Sequence, residues 1–371
     1  MVPMFACIAF ALGGVGPSAN LPSAPSSADT HEVYYKGTKL QVADLPEGMA
    51  PGVTTAIDAC AVWSKKMGYS LTLDPSGRVL LVCRRVGKKL EKELDLVKSV
   101  LGRVDAWVPE PVAFPKEWQT QGNTQTWGWL GDPRAEAIPI VYILSGEFQQ
   151  EALLESLADT APDLESMGVR ASKLSGFTLP VPLVTAYLES AAILQEYRPL
   201  NELVHRLTHM LLIQRAGRIP QWLVSGLAWE AEWNLGTGIW CFPWRDEFVF
   251  NVEHVAWQRL ARDHAKGDGP TKNLAIEDLF ALGRKRFVRA DAILAFGCGA
   301  FLAREHPKAI RKFMAELSLD RARGAYHDLG GGSWELDPSY ETSIDRQLEI
   351  LQELVGDDVL NELTAYLRQL N

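Results

Sequence analysis

Apolar and polar positions divide the chain into a strand-bearing first half and a helical second half. Short apolar runs bounded by turn residues predict strands over Glu32–Tyr35, Ser70–Leu73 and 79–84. The last two flank Asp74-Pro75-Ser76-Gly77, whose composition signals a hairpin turn. Residues 88–101 have helical periodicity with a Lys/Glu face suited to solvent. The uninterrupted apolar run 137–144 suits a buried strand, and 147–157 a helix after it. The segment 176–184, GFTLPVPLV, predicts an extended edge, because its prolines forbid a central ladder position. Beyond 190, residues 252–318 and 343–370 are predominantly helical, with a break near Gly356. Gly330-Gly331-Gly332-Ser333 predicts a flexible connection between them.

The most informative pattern lies at 201–233, NELVHRLTHMLLIQRAGRIPQWLVSGLAWEAEW, which reads as two helices around a short turn. Asn201 is a plausible N-cap, Gly217 closes the first helix, and Pro220 stands where the second begins. Leu203, Val204, Leu207 and Leu211 form a core stripe. His205 and His209, four residues apart, share another face, a spacing that lets two imidazoles reach one divalent ion.

These residues resemble the zinc metallopeptidases of the gluzincin group, closest to the peptidase MA-like family, whose pattern reads HExxH followed by PxWLxEGLA. Pro220, Trp222, Leu223, Gly226, Leu227 and Ala228 fall on the second half of that pattern, and both histidines on the first. The resemblance implies an α+β fold, with a small mixed sheet and helices over 29–190 and a mainly helical, thermolysin-like part over 191–371. It also implies that an edge strand lines a substrate cleft.

Two positions depart from the family. Arg206 stands where the general-base Glu belongs, and Ser225 where the third metal ligand, also a Glu, belongs. A guanidinium accepts no proton. Beside a dication it costs roughly 1 to 4 kcal/mol of repulsion for effective dielectrics between water and ~20. Ser225 offers a short neutral hydroxyl in place of an anionic oxygen. Glu230 points elsewhere on its helix, and Glu232 lies two turns on, roughly 10 Å by helix rise. Arg206 is therefore expected to pair with a carboxylate such as Glu230 or Glu232, or to receive an anionic group of a partner.

The reading that follows is a metallopeptidase homologue without peptidase activity or a resident cofactor. Its cleft, with Arg206, Ser225, Trp222, Glu230 and Glu232, binds a peptide or protein, or is structural. The alternative is an active zinc hydrolase in which Asp246 or Glu247 completes the His205–His209 pair. A third is a secreted carbohydrate-associated module using the Trp-rich segment 115–134, with Trp118, Trp127 and Trp129. That segment also reads as a surface loop pinned by its tryptophans. Trp240-Cys241-Phe242-Pro243-Trp244 is a second apolar loop, placed to plug the former cleft.

Composition narrows the classes further. The formal charge of −9 argues against broad nucleic-acid binding, and no apolar run reaches the ~18 residues of a membrane-spanning helix. Residues 1–28 read as an apolar block of secretory length and a Ser/Ala/Pro-rich segment, which predicts a secreted or periplasmic protein. No Lys or Arg precedes the block, so a cytoplasmic chain with a loose N-terminus is the competing reading. Cys60, Cys83, Cys241 and Cys298 show no C-x-x-C spacing; pairs Cys60–Cys83 and Cys241–Cys298 or buried free thiols are both open.

Overall fold

A computed structural model of the chain describes residues 31–47, 49, 52–112, 137–160, 175–179, 182–190, 198–236, 238–241, 255–268, 275–281, 288–330, 333–337 and 340–370. The expectations placed on the leader, on 115–134, on Phe242, Pro243 and Trp244, and on Asp246 and Glu247 lie outside the described residues.

Seven strands form one mixed sheet: β1 (Glu32–Tyr35), β2 (Thr38–Gln41), β3 (Ser70–Leu73), β4 (Leu80–Cys83), β5 (Ile140–Leu144), β6 (Gly176–Leu179) and β7 (Val184–Leu188). Their order is β2-β1-β3-β4-β5-β7-β6. The turn foreseen between β3 and β4 is held by Asp74, whose carboxylate accepts the N–H groups of Ser76, Arg78 and Val79. Gly77 supplies the positive φ of +73° that the turn needs.

Strands β4, β5 and β7 run parallel to one another. They read as continuous apolar runs because both faces are covered. Leu80, Val82, Tyr142, Leu144 and Ala186 face a core shared with α1 (Gly52–Met67) and α3 (Glu147–Thr160). Leu81, Cys83, Val141, Ile143 and Tyr187 face the opposite core, shared with α2 (Lys88–Trp107) and the helical second half.

That second half contains α4 (Pro199–Ala216), α5 (Gln221–Leu235), α6 (Trp257–Ala265), α7 (Ile276–Phe280), α8 (Arg289–Glu305), α9 (Pro307–Ala325), α10 (Ile344–Val355) and α11 (Val359–Gln369). The core is continuous across position 190, since Leu203, Leu207 and Leu211 of α4 join Tyr187 of β7 and Val97 and Val104 of α2 in one cluster. The fold is mixed α and β, as the pattern predicts.

Several local expectations need correction. Helix α4 begins at Pro199, so Asn201 is inside it and its amide is used elsewhere. Gly330 and Ser333, read as part of a flexible connection, instead belong to paired strands, β8 (Tyr326–Gly330) and β9 (Ser333–Leu336). Of the predicted edge segment, β6 does lie at the edge of the sheet, but Val184 begins the interior strand β7. Cys60, Cys83, Cys241 and Cys298 are buried free thiols, which removes both candidate disulfides. Gly217, at φ +68°, closes α4, and Gly356, at φ +139°, separates α10 from α11, both as the pattern predicts. Among the described residues no helix is long and apolar enough to cross a membrane.

Helices α5 and α8 cross at close range. A Cβ on Gly226 would meet the Ala295 carbonyl oxygen at 2.2 Å, and one on Gly299 would meet the Gly226 backbone carbonyl carbon at 2.3 Å. The two backbones touch there, and a side chain at either position has no room.

Candidate functional site

The turn at 217–220 reverses the chain, so the start of α4 lies against the end of α5. Asn201 Nδ2 accordingly donates to Glu232 Oε1 at 3.0 Å. Helical spacing places Ser225, Trp229 and Glu232 (i, i+4, i+7) on one face of α5, the face that meets the histidines. His205 and His209 do share a side of α4, with ring centroids 6.5 Å apart and planes inclined by 22°. The Trp229 ring lies 5.4 Å from the His205 ring. His205 is buried and His209 half-buried.

Glu232 is not remote from the histidines. Distance measured along α5 alone misses that an antiparallel neighbour brings its far end back. Glu232 Oε2 lies 3.3 Å from His205 Nδ1. Its Oε1 accepts the backbone N–H of Cys241 at 2.9 Å, that of Trp240, and the Asn201 amide. Burial pushes the Glu232 carboxyl up to about 8, with the nearby Glu202 adding to the effect, against the three N–H donors that favour the anion. Burial also takes His205 down to about 3, assisted by the Arg206 cation and opposed by Glu202. Both shifts favour the uncharged forms of the pair, a carboxylic acid and a neutral imidazole.

Arg206 does not pair with Glu230 or Glu232. Its Nε donates to Glu202 Oε2 at 2.6 Å, one helical turn back, and both side chains are buried. Glu202 Oε1 accepts the Ser175 hydroxyl at 3.0 Å, and Oε2 also accepts the Cys241 thiol at 3.3 Å. The space for the guanidinium comes from Gly176 on β6, where a Cβ would meet Arg206 Nε at 2.7 Å and the Ala186 carbonyl oxygen at 2.3 Å. Register pairs Gly176 with Tyr187, and opposed residues share a sheet face. Arg206 therefore lies on the α4 side of the sheet beside Tyr187. Every residue of β6 is buried, including Phe177 and Leu179, so this edge is covered and does not present an open cleft wall.

The remaining predicted residues divide. Ser225 is buried, and its hydroxyl accepts the Gln221 side-chain amide. Trp222 lies in the core, packed on Phe280 and Phe313, with its indole N–H donated to Gln347 Oε1 at 2.9 Å. Glu230 points away from the histidines, as read from the sequence. It accepts from Arg103 of α2 and Asn234, both at 2.6 Å, and lies 3.6 Å from Arg304 of α8. Structure thus gathers His205, His209, Arg206 and Glu232, keeps Trp222 and Glu230 apart, and adds Glu202, Cys241, Asn201, Ser175 and Gly176. Of the additions, Glu202 has a sequence signal of its own, since Glu at i and Arg at i+4 pair on a helix; Cys241 and Gly176 lie in the loop and the edge segment read from the sequence, without a role assigned to either.

A zinc ion does not fit these residues as they stand. Two imidazoles on one tetrahedral zinc, at ~2.0–2.1 Å per bond, hold their ring centroids about 5 Å apart; here they are 6.5 Å apart. Ser225 brings no charge, and Arg206 holds a fixed cation beside His205. The contact of His205 Nδ1 with Glu232 is the one element typical of a metal-bound histidine's outer partner. Among the described residues no three His, Cys, Asp or Glu side chains are grouped to hold a metal.

No protein-family model matches the chain, and no curated protein matches it.

Proposed function

We propose that this chain is a peptidase MA-like metallopeptidase homologue that does not hydrolyse peptides, its former catalytic cleft turned into a buried polar joint. The observation that supports this reading is the 2.6 Å contact of Arg206 with Glu202 inside the protein. A guanidinium at the general-base position, neutralised within its own helix, cannot take a proton from water. The same joint ties four pieces together: α4 through Glu202 and His205, α5 through Glu232, the start of β6 through Ser175, and the loop after α5 through Cys241. The buried β6 edge argues against a substrate strand adding there, so the structural version of the reading is preferred to peptide capture.

The test is zinc content and peptidase activity of purified full-length protein, beside the double variant Arg206→Glu, Ser225→Glu. Wild type is expected to carry substoichiometric zinc and cleave nothing above background, whereas the double variant takes up more zinc. Stoichiometric zinc and cleavage by wild type would overturn the reading.

A further inference from the structure

The carboxyl ends of β4 and β5 carry a surface that the buried joint does not use. Ser70 pairs with Cys83, so the start of β3 lies beside the end of β4, and the parallel strand β5 ends on the same side. Tyr69 fastens these ends together. Its hydroxyl accepts the Ser145 N–H at 2.9 Å, and the Arg84 guanidinium lies over its ring, 4.7 Å from the centroid. Arg84 also donates to the carbonyl of Met67, the last residue of α1. The last turn of α1 and the first turns of α2 and α3 therefore open on one edge of the sheet.

That edge is basic and apolar at once, in a chain whose formal charge is −9. Lys65, Lys66, Arg84, Lys88, Lys89 and Lys92 are exposed, and the only acids within the same stretches, 62–69, 84–92 and 145–148, are Glu91 and Glu147. Arg85 is taken by Glu93 and Glu189. Val62, Val86 and Phe148 protrude among the cations, 76%, 77% and 69% exposed. Val62 shares a helix face with Lys65 and Lys66, three and four residues on. The first turn of α2 has no side-chain cap, so its leading N–H groups are open to an anion.

We propose that this edge docks the protein reversibly onto an anionic phospholipid surface, with the lysines at the headgroup phosphates and Val86 and Phe148 dipped below them. The proposal is independent of the lost reaction. Protruding apolar side chains select lipid over other polyanions: a nucleic acid or an acidic peptide would satisfy the lysines and leave Val86 and Phe148 in water. Each lysine beside such a surface is worth about fivefold in binding, and the attraction is screened by salt.

The experiment is co-sedimentation of the full-length protein with vesicles of phosphatidylcholine and phosphatidylserine in equal parts, and with vesicles of phosphatidylcholine alone, at low and high salt. Three variants accompany wild type: Lys88→Gln/Lys89→Gln, Val86→Ser/Phe148→Ser, and Lys308→Gln/Lys312→Gln on α9, away from this edge. All the substituted positions are exposed, so the fold should be kept, which urea unfolding checks. Wild type is expected to bind the mixed vesicles alone and to be released by salt. Lys88→Gln/Lys89→Gln should bind more than tenfold more weakly, Val86→Ser/Phe148→Ser several-fold more weakly, and Lys308→Gln/Lys312→Gln as wild type does. The inference fails if wild type does not bind the mixed vesicles, or if the α9 variant loses as much as Lys88→Gln/Lys89→Gln. It also fails if Val86→Ser/Phe148→Ser binds as tightly as wild type, or if a single-stranded oligonucleotide or polyglutamate displaces the vesicles at equal charge concentration, since the edge would then be a general polyanion surface.

Discussion

Replacing Glu232 by Gln isolates the buried acid–imidazole contact and gives a sign that is hard to obtain otherwise. A carboxyl that ordinarily ionises at 4.5 is held up to about 8 in the folded chain. Between those limits the folded state keeps a proton that the unfolded state has released. Stability therefore falls as pH rises through that window. Each pH unit is worth about 1.4 kcal/mol, so a window of roughly 3.5 units sets an upper bound of about 5 kcal/mol, which water penetration reduces. Glutamine mimics the protonated acid: its carbonyl oxygen can accept the N–H groups of Asn201, Trp240 and Cys241, and its amide can face His205. Near pH 5 the variant should match wild type to within about 1 kcal/mol, the scale of one neutral hydrogen bond. At pH 8 it should be the more stable protein, by about 2 to 5 kcal/mol. His205, held down to about 3, acts in the opposite sense. Its contribution is present above its ordinary value of 6.5 and is lost as pH falls toward 3. It is common to both proteins, so the difference between them reports Glu232. Urea unfolding of both proteins at half-unit pH steps is the assay. Parallel stability curves, or a variant less stable than wild type at pH 8, would refute the buried neutral pair.

Two further outcomes follow from packing. Gly226→Ala drives a methyl into the Ala295 carbonyl oxygen, with 2.2 Å where van der Waals contact needs far more, and neither backbone can yield cheaply. A loss of about 1–3 kcal/mol or more is expected in urea unfolding, with no dependence on added zinc. The four described cysteines are buried thiols, so an aromatic disulfide reagent should react with them only on unfolding, and reductant should leave Tm unchanged.

Local pattern made much of this molecule legible before any coordinates. The helix–turn–helix at 201–233, the buried run that became β5, the Asp74 turn and the Gly356 break all depend on neighbours within a few residues. What escaped depends on tertiary contact. Asn201 has the right side chain for an N-cap, but Pro199 starts the helix earlier and Glu232 claims the amide. Rise along α5 puts Glu232 far from the histidines, but it says nothing of where an antiparallel partner ends. Arg206 pairs with a carboxylate one turn back on its own helix, not with one across the hairpin. The edge segment holding Gly176 and the apolar loop holding Cys241 are legible locally, but the contacts of these two residues with Arg206 and Glu202 depend on tertiary packing. Gly330 is the reverse case, a glycine that suggests looseness and instead pairs with Ser333 across a hairpin.

The contact of α5 with α8 has a consequence beyond stability. The glycine in Trp-Leu-x-x-Gly-Leu-Ala is required here by backbone-to-backbone touching, and Trp222 is required by the aromatic cluster beneath it. Both demands come from packing alone. Sieving genomes with the downstream half of such a pattern therefore sorts chains by how closely two rods cross. The chemistry that the resemblance implies rests on two other positions, the one after the first histidine and the fourth of that heptapeptide, where this chain carries Arg206 and Ser225.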